Sequence, residues 1–223
     1  METLIDGFFN ARILADAMPY LVRGLSMTLL LCAVALPLGI AGGLLLALGS
    51  TLRSPVLRWA ALVYTDFFRA FPPLVLLLFI AYGMPFVGFK PAPFVSVTLA
   101  FFLNTSSYYG EILRAGLESV ATGQHEAARS TGLSRWQSLR HVILPQAVKN
   151  VVPDLVSNTL EAVKLTSIAS VVALPELLYV ARQVQSLSYN ASPVIAAGLI
   201  YLVLLWPLVR LLSRYERQAV TIR

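Results

Sequence analysis

Residues 24–52 read GLSMTLLLCAVALPLGIAGGLLLALGSTL, a run with no Asp, Glu, Lys, Arg or His. The hydrocarbon core of a bilayer is crossed by about 20 consecutive apolar residues of α-helix. In lipid, a single segment satisfies its backbone N–H and C=O groups only by bonding along its own helix. The run therefore reads as a complete transmembrane span. Gly39, Gly42, Gly43 and Ala47 within it allow another helix to approach closely, as packing in membranes favours. Cys32 reads as a small core residue in the same run.

The rest of the chain agrees with a membrane solvent. Of its 223 residues 57% are hydrophobic and 13% charged, against about 25% charged in a soluble domain. A single cysteine excludes an intramolecular disulfide or thiolate cluster. The net charge of +6 reads as membrane topology, so no nucleic-acid partner is expected. Met1–Met18 holds Glu2, Asp6 and Asp16 where a signal peptide would be basic, so the first apolar run is expected to stay in the protein.

Five spans follow, at approximately 24–50, 57–86, 92–116, 151–174 and 193–212. Turn chemistry separates them at Ser54-Pro55, at Lys90-Pro91-Ala92-Pro93 and at Leu174-Pro175-Glu176. With the N-terminus outside, the inner side holds Arg53, Arg58, Arg114, Arg129, Arg135, Arg140, Lys149, Arg210, Arg214, Arg217 and Arg223. The outer side holds only Arg12, Arg23, Lys90 and Arg182. Basic residues gather on the cytoplasmic side. The expected fold is an all-α integral membrane protein, one domain over 1–223, with five transmembrane helices and a cytoplasmic C-terminus.

The segment 121–150 is too regular for a simple joint. Gln124–Thr131 is compatible with a helix that Gly132 ends at its C′ position. Ser134-Arg135-Trp136-Gln137 has the S-x-x-Q form of a capping box and starts a second helix. That helix runs to Leu144, where Pro145 perturbs it. Two short helices in an L-shape make a cytoplasmic knob, and the small Ala127 and Ala128 let a groove grip the first of them. The plainer reading is an amphipathic helix resting on lipid headgroups.

The pattern Glu126-Ala127-Ala128-x-x-x-Gly132, followed after nine residues by Val142-x-Leu144-Pro145, resembles the EAA loop of binding-protein-dependent ABC importer permeases. Val142 stands where Ile is more usual. The flanks resemble the polar amino-acid branch, of histidine and glutamine type. They include Asn104-x-x-x-Tyr108-Tyr109-Gly110-Glu111-Ile112-Leu113-Arg114-Ala115-Gly116, Arg69-Ala70-Phe71-Pro72 (for R-G-T-P), Lys164-Leu165-Thr166-Ser167 (for K-D-T-S) and Pro175-Glu176-Leu177. The resemblance spans about residues 20–215. It implies a multi-pass permease of the bacterial inner membrane, importing a polar amino acid or derivative. It also implies a second permease, identical or related, two ATPase subunits and an extracytoplasmic solute-binding protein. ATP and Mg²⁺ would sit on the ATPase, with no cofactor on this chain. The ATPase-coupling residues it points to are Glu126, Ala127, Ala128, Gly132, Leu144 and Pro145.

Charged groups at membrane depth cost about 2.5–3.5 kcal/mol each on insertion scales and usually face a bundle interior or an aqueous cavity. Glu161 and Lys164 are spaced i,i+3, with Ser157 one turn before Glu161. Either Glu161 lines the pathway and meets a substrate amino group, or it pairs with Lys164 to lock the helix. Lys164 snorkelling at the membrane edge is a third placement. Asn104, Ser107 and Tyr108 are candidates for the same pathway or for bonds between helices. Glu111 with Arg114 reads as a structural ion pair. Asp66 with Arg69 is spaced in the same way, and Arg69 is a candidate for a gate or interface.

No G-x-x-x-x-G-K-[ST], H-E-x-x-H or G-x-S-x-G occurs. His125 and His141, the two histidines, read as surface or packing residues. An intramembrane hydrolase lacks a nucleophile–base pair. An ion-gradient-driven secondary transporter of small polar solutes accounts for Glu161 and Lys164 but not for the knob. The reading is a transport subunit without its own catalytic site. Glu161 tilts the substrate toward cationic amino acids.

Overall fold

The structure is a computed structural model that describes residues 6–52 and 54–221, with side chains through Ser213. Arg53 and Arg223, counted above in the charge bias, lie outside it. Among the described residues every regular element is helical.

Helix α1 is Ala11–Ser50, 40 residues long. The Asn10 side chain caps it, accepting from the Ile13 N–H at 3.0 Å. The span expected at 24–50 is thus the later part of a longer helix. Arg12, Asp16 and Arg23 keep the first turns out of an apolar run without disfavouring helix.

Over the span expected at 57–86 the chain forms helices α2 (Pro55–Ala70) and α3 (Pro73–Leu78); α3 continues through a π turn, Phe79–Gly83, and a 3-10 turn, Met84–Val87. The two limbs meet at 100°. Pro72 and Pro73 cannot donate into a helical ladder, and each pushes the residue before it to extended backbone. Phe71 (ψ 126°) and Pro72 (ψ 125°) are both extended.

Helix α4 (Pro93–Glu118) lies at the centre, packed on α1, α2, α3 and the helix after the knob. Its 26 residues suffice to cross a bilayer, but it is polar in its middle. Asn104, Thr105, Ser106 and Ser107 are all buried, so these groups face protein. Three other helical stretches are long and apolar enough to cross a membrane by themselves, and the bent α2–α3 pair makes a fourth.

The glycines of α1 meet α4. A Cβ on Gly43 would stand 2.5 Å from the Tyr109 Cβ and 2.7 Å from the Gly110 backbone nitrogen. Tyr109 is fully buried there, its hydroxyl 2.7 Å from the Thr159 Oγ1. Gly43→Val must push two backbones apart, an overpacking that costs about 1–3 kcal/mol. The variant is expected to lose its sharp thermal transition in detergent, whereas Ala41→Val, on the exposed side of α1, keeps it.

Helices α5 (Thr122–Ser130) and α6 (Arg135–Ser138) form the knob, and α7 is Leu144–Leu165. Pro145 does not end the second knob helix as expected. A π turn at Leu139–Ile143 precedes it, with the Leu144 N–H bonding the Leu139 carbonyl. This wider turn makes room at the proline. The stretch Arg135–Val172 is consequently continuous over 38 residues, ending in a 3-10 segment at Thr166–Val172.

Helix α8 (Leu177–Ser188) occupies what reads as a joint, and α9 (Ser192–Thr221) follows. Glu176, fully buried, caps α8 with both carboxylate oxygens, accepting from Leu178 N–H at 2.9 Å and Tyr179 N–H at 2.6 Å. The Tyr201 hydroxyl of α9 donates to the same carboxylate at 3.2 Å, and the Leu177 N–H donates to Thr28 Oγ1 of α1 at 3.1 Å. The buried carboxylate thereby ties α8 to α9, and the backbone N–H beside it ties α8 to α1.

Two apolar clusters hold the ends of the bundle. Leu31, Leu77, Val97, Phe101 and Ala169 join α1, α3, α4 and the end of the long helix. Ala47, Leu113, Leu117, Ile143 and Val151 anchor the knob to α1 and α4. Cys32 packs with Leu160, Val163 and Leu205, as a small core residue does.

Candidate functional site

The knob is braced at every joint. Gly132 ends α5 with φ +83°, a conformation that costs a residue with a Cβ but not glycine. Its N–H bonds the Arg129 carbonyl at 3.1 Å, and Arg129 donates to the Leu133 carbonyl at 2.6 Å. The capping box forms as read, with Gln137 N–H to Ser134 Oγ at 3.2 Å and Ser134 N–H to Gln137 Oε1 at 2.9 Å. Gln146 reaches Gln124 at 3.3 Å, fastening the knob to α7, and Asn150 reaches Ser119 at 2.8 Å, fastening α7 to the end of α4. Glu126, Ala127 and Pro145 are exposed and Leu144 half-buried. Ala128 is 5% exposed and turned onto its own chain, so only one of the two alanines is presented outward.

The second feature is a stripe on α7. Asp154, Ser157, Glu161 and Lys164 are all exposed, at spacings that keep them on one helix face. Leu160, Ala162 and Val163 between them are buried in the chain's own core. Glu161 and Lys164 form an ion pair while remaining 68% and 52% exposed at the side chain. Asp154 was not among the expected residues; its i,i+3 spacing to Ser157 was the available signal. Four polar groups on a membrane-length helix point away from the chain that carries them. Lipid is a costly neighbour for such a face, so another subunit or water belongs there.

The third feature is the elbow between α2 and α3. In an unbroken helix the N–H of residue 72 would bond the carbonyl of residue 68, and that of residue 73 the carbonyl of residue 69. Both positions are proline. The two carbonyls left over are those taken by α4. Asn104 Nδ2 donates to the Phe68 carbonyl at 3.3 Å, and the Tyr108 hydroxyl donates to the Arg69 carbonyl at 3.4 Å. One turn earlier, Tyr64 pairs with Ser106 at 2.8 Å.

The Arg69 guanidinium lies 5.7 Å over the Tyr108 ring and 3.6 Å from Glu111, turning to α4 rather than pairing with Asp66. Glu111 takes a bidentate contact from Arg114 at 2.8 Å, and Arg114 continues to Glu118 at 2.5 Å. The structural Glu111–Arg114 pair is present as read. Ser107, fully buried, donates to the Asn104 carbonyl of its own helix at 2.6 Å. Of the six expected pathway residues, Ser157, Glu161 and Lys164 share one exposed face. Asn104, Ser107 and Tyr108 are engaged on another helix.

Residues 39–219 match the model of the family described as binding-protein-dependent transport system inner membrane component. The chain is 36% identical over 170 residues to a probable amino-acid ABC transporter permease protein, YckA, of Bacillus subtilis (strain 168), covering 76% of this chain and 75% of that protein. It is 33% identical over 202 residues to the arginine transport system permease protein ArtQ of the same organism, covering 90% and 92%. Among solved structures, an amino acid ABC transporter crystallised with histidines superposes with a TM-score of 0.84 at 35% identity, over 92% of this chain and 96% of the other. The inward-facing MetNI methionine ABC transporter shares the fold, with a TM-score of 0.75 at 21% identity over 90% and 96%.

Proposed function

Because this chain belongs to the family of binding-protein-dependent transport system inner membrane components, we propose that it is one half of the membrane pathway of an ATP-driven importer of polar, preferentially cationic, amino acids. Its relatives are amino-acid ABC transporter permease subunits, and the resemblance drawn from the knob and its flanks is borne out. It is a multi-pass membrane protein, and its relatives are transport subunits rather than enzymes.

The observation that supports the reading best is the outward stripe Asp154–Lys164. A permease that works as a pair, of identical or related chains, has its aqueous path between the two, and ionisable groups at membrane depth face such a cavity. In this proposal Ser157, Glu161 and Lys164 line the path, and Glu161 meets the substrate's ammonium or cationic side chain. Asn104, Ser107 and Tyr108 support the path's wall from behind. The knob takes force from an ATPase through Glu126, Ala127 and the turn at Gly132, with Leu144 and Pro145 holding it to α7. ATP and Mg²⁺ sit on that ATPase. In this reading five spans cross a bacterial inner membrane with the N-terminus outside and the knob in the cytoplasm, which the bias of basic residues supports. A second permease and an extracytoplasmic binding protein complete the assembly.

The test is uptake of labelled arginine, histidine, lysine and glutamine by cells that express this chain with its ATPase, partner permease and binding protein. Uptake is expected to stop when ATP is depleted and to continue for minutes after an uncoupler. The opposite pattern would establish a gradient-driven carrier instead.

A further inference from the structure

We infer that Asn104, Tyr108 and Glu111 of α4 are a latch that holds the proline elbow of the second span, and that through it the knob end of α4 positions the path. The inference rests on the transport reading above for its functional part, and on geometry alone for the latch itself.

The geometry has three matched pieces. Pro72 and Pro73 deprive two carbonyls of their helical donors, and those two are the carbonyls that α4 satisfies. The donors stand at positions 104 and 108, one turn apart on one face of α4. Glu111 continues that face and holds the side chain of the residue whose carbonyl Tyr108 holds. A bare carbonyl that faces lipid has no donor to turn to, and α4 supplies one to each, in a part-buried bond from Asn104 and an exposed one from Tyr108. A bent α2–α3 without Asn104 and Tyr108 would expose two bare acceptors. A straight one would leave the two side chains without partners.

The latch also has an outlet. Glu111 is shared between Arg69 and Arg114, and Arg114 holds Glu118, the last residue of α4. Helix α5 starts at Thr122. A shift of the knob therefore moves Glu118 and Arg114 first, and the share of Glu111 left for Arg69 changes with them. Arg69 sits at the vertex of the 100° bend. These are positioning residues: they act through the elbow and need not touch the transported solute.

Two measurements test this. The first is thermal unfolding of the purified full chain in detergent. Loss of one such hydrogen bond from Tyr108→Phe should lower the midpoint by about 2–4 °C. Pro72→Ala with Pro73→Ala returns two N–H groups to the helix, and in that background Tyr108→Phe should have almost no effect. Equal shifts in both backgrounds would overturn the latch. The second is uptake per ATP hydrolysed by the complete reconstituted importer. A residue that merely helped folding would lower uptake and hydrolysis together, in proportion to the assembled complex. Tyr108→Phe and Arg69→Gln should instead lower the ratio by roughly fivefold or more, about 1 kcal/mol of lost coupling, and Arg69→Lys should recover part of it. An unchanged ratio would refute the positioning role. If the native complex shows no ATP-dependent uptake, the transport reading fails, and the proline dependence of the melting shift still decides the latch.

Discussion

Glu126→Lys and Gly132→Val are expected to abolish ATP-driven uptake while leaving the protein inserted and folded in the membrane. The two substitutions reach the same surface by different routes. Glu126 is exposed on α5 and has no ion-pair partner among the described residues, and the proposal above gives its carboxylate to a cation on the ATPase. If docking takes that pair out of water, breaking it costs about 2–5 kcal/mol, which weakens the attachment by about thirtyfold or more. Gly132 has open space where a Cβ would stand, so Val meets no clash. The cost is conformational, since φ +83° puts a β-branched residue about 1–2 kcal/mol above its preferred backbone. Relief of that strain re-aims α5 against α6. Copurification of the ATPase with each variant separates the routes: Glu126→Lys loses the ATPase, and Gly132→Val retains part of it without productive hydrolysis. Normal uptake in both variants would reduce the knob to a joint.

The second large effect is at Glu161. If its carboxylate meets a cationic group on the substrate, Glu161→Gln removes a charge-assisted hydrogen bond worth about 1.5–3 kcal/mol. The concentration for half-maximal uptake should rise about ten- to hundredfold. Lys164 provides the control, because the two side chains form an ion pair in the present conformation. Were neutralisation of Lys164 the whole role of Glu161, Lys164→Met would rescue Glu161→Gln. The expectation is no rescue, and a smaller effect on glutamine than on arginine. Rescue by Lys164→Met would assign Glu161 to structure and move recognition elsewhere.

Much of this arrangement is legible in the residues. The uncharged run from Gly24 fixes α1 as a membrane helix, and its glycines mark a close neighbour, which proves to be α4. Ser134 and Gln137 announce the start of α6, and Gly132 the end of α5. These features are local: a cap, a C′ glycine and a lipid-length run need only their own few residues.

What the sequence conceals depends on partners. Pro72-Pro73 is plain to read, but an apolar count from 57 to 86 passes over it, because hydropathy has no term for a missing N–H. Pro145 misleads in the opposite direction: one π turn lets the helix continue past it. Helix α8 carries Arg182, Gln183 and Gln185, too polar for a span, though Leu177, Ala181 and Val184 keep helical spacing and Glu176 stands at its cap. Asn104 and Tyr108 draw attention as polar groups in a span, but their use becomes visible only when α2 is laid against α4.

The wide turn at Leu139–Ile143 also sets an angle. A π turn is in effect one extra residue inside an α-helix, and one residue advances the helix by about 100°. Everything beyond it, including Asp154, Ser157, Glu161 and Lys164, is rotated by that amount relative to Arg135–Ser138. Beyond the wide turn, Leu144–Leu165 is an α-helical shaft of about 33 Å at 1.5 Å per residue. The extra residue keys the polar face at one end to the orientation of the knob at the other. Closing the wide turn into a regular one would spin that face by about a quarter turn, so this one turn fixes the rotational phase on which an outward-facing stripe depends.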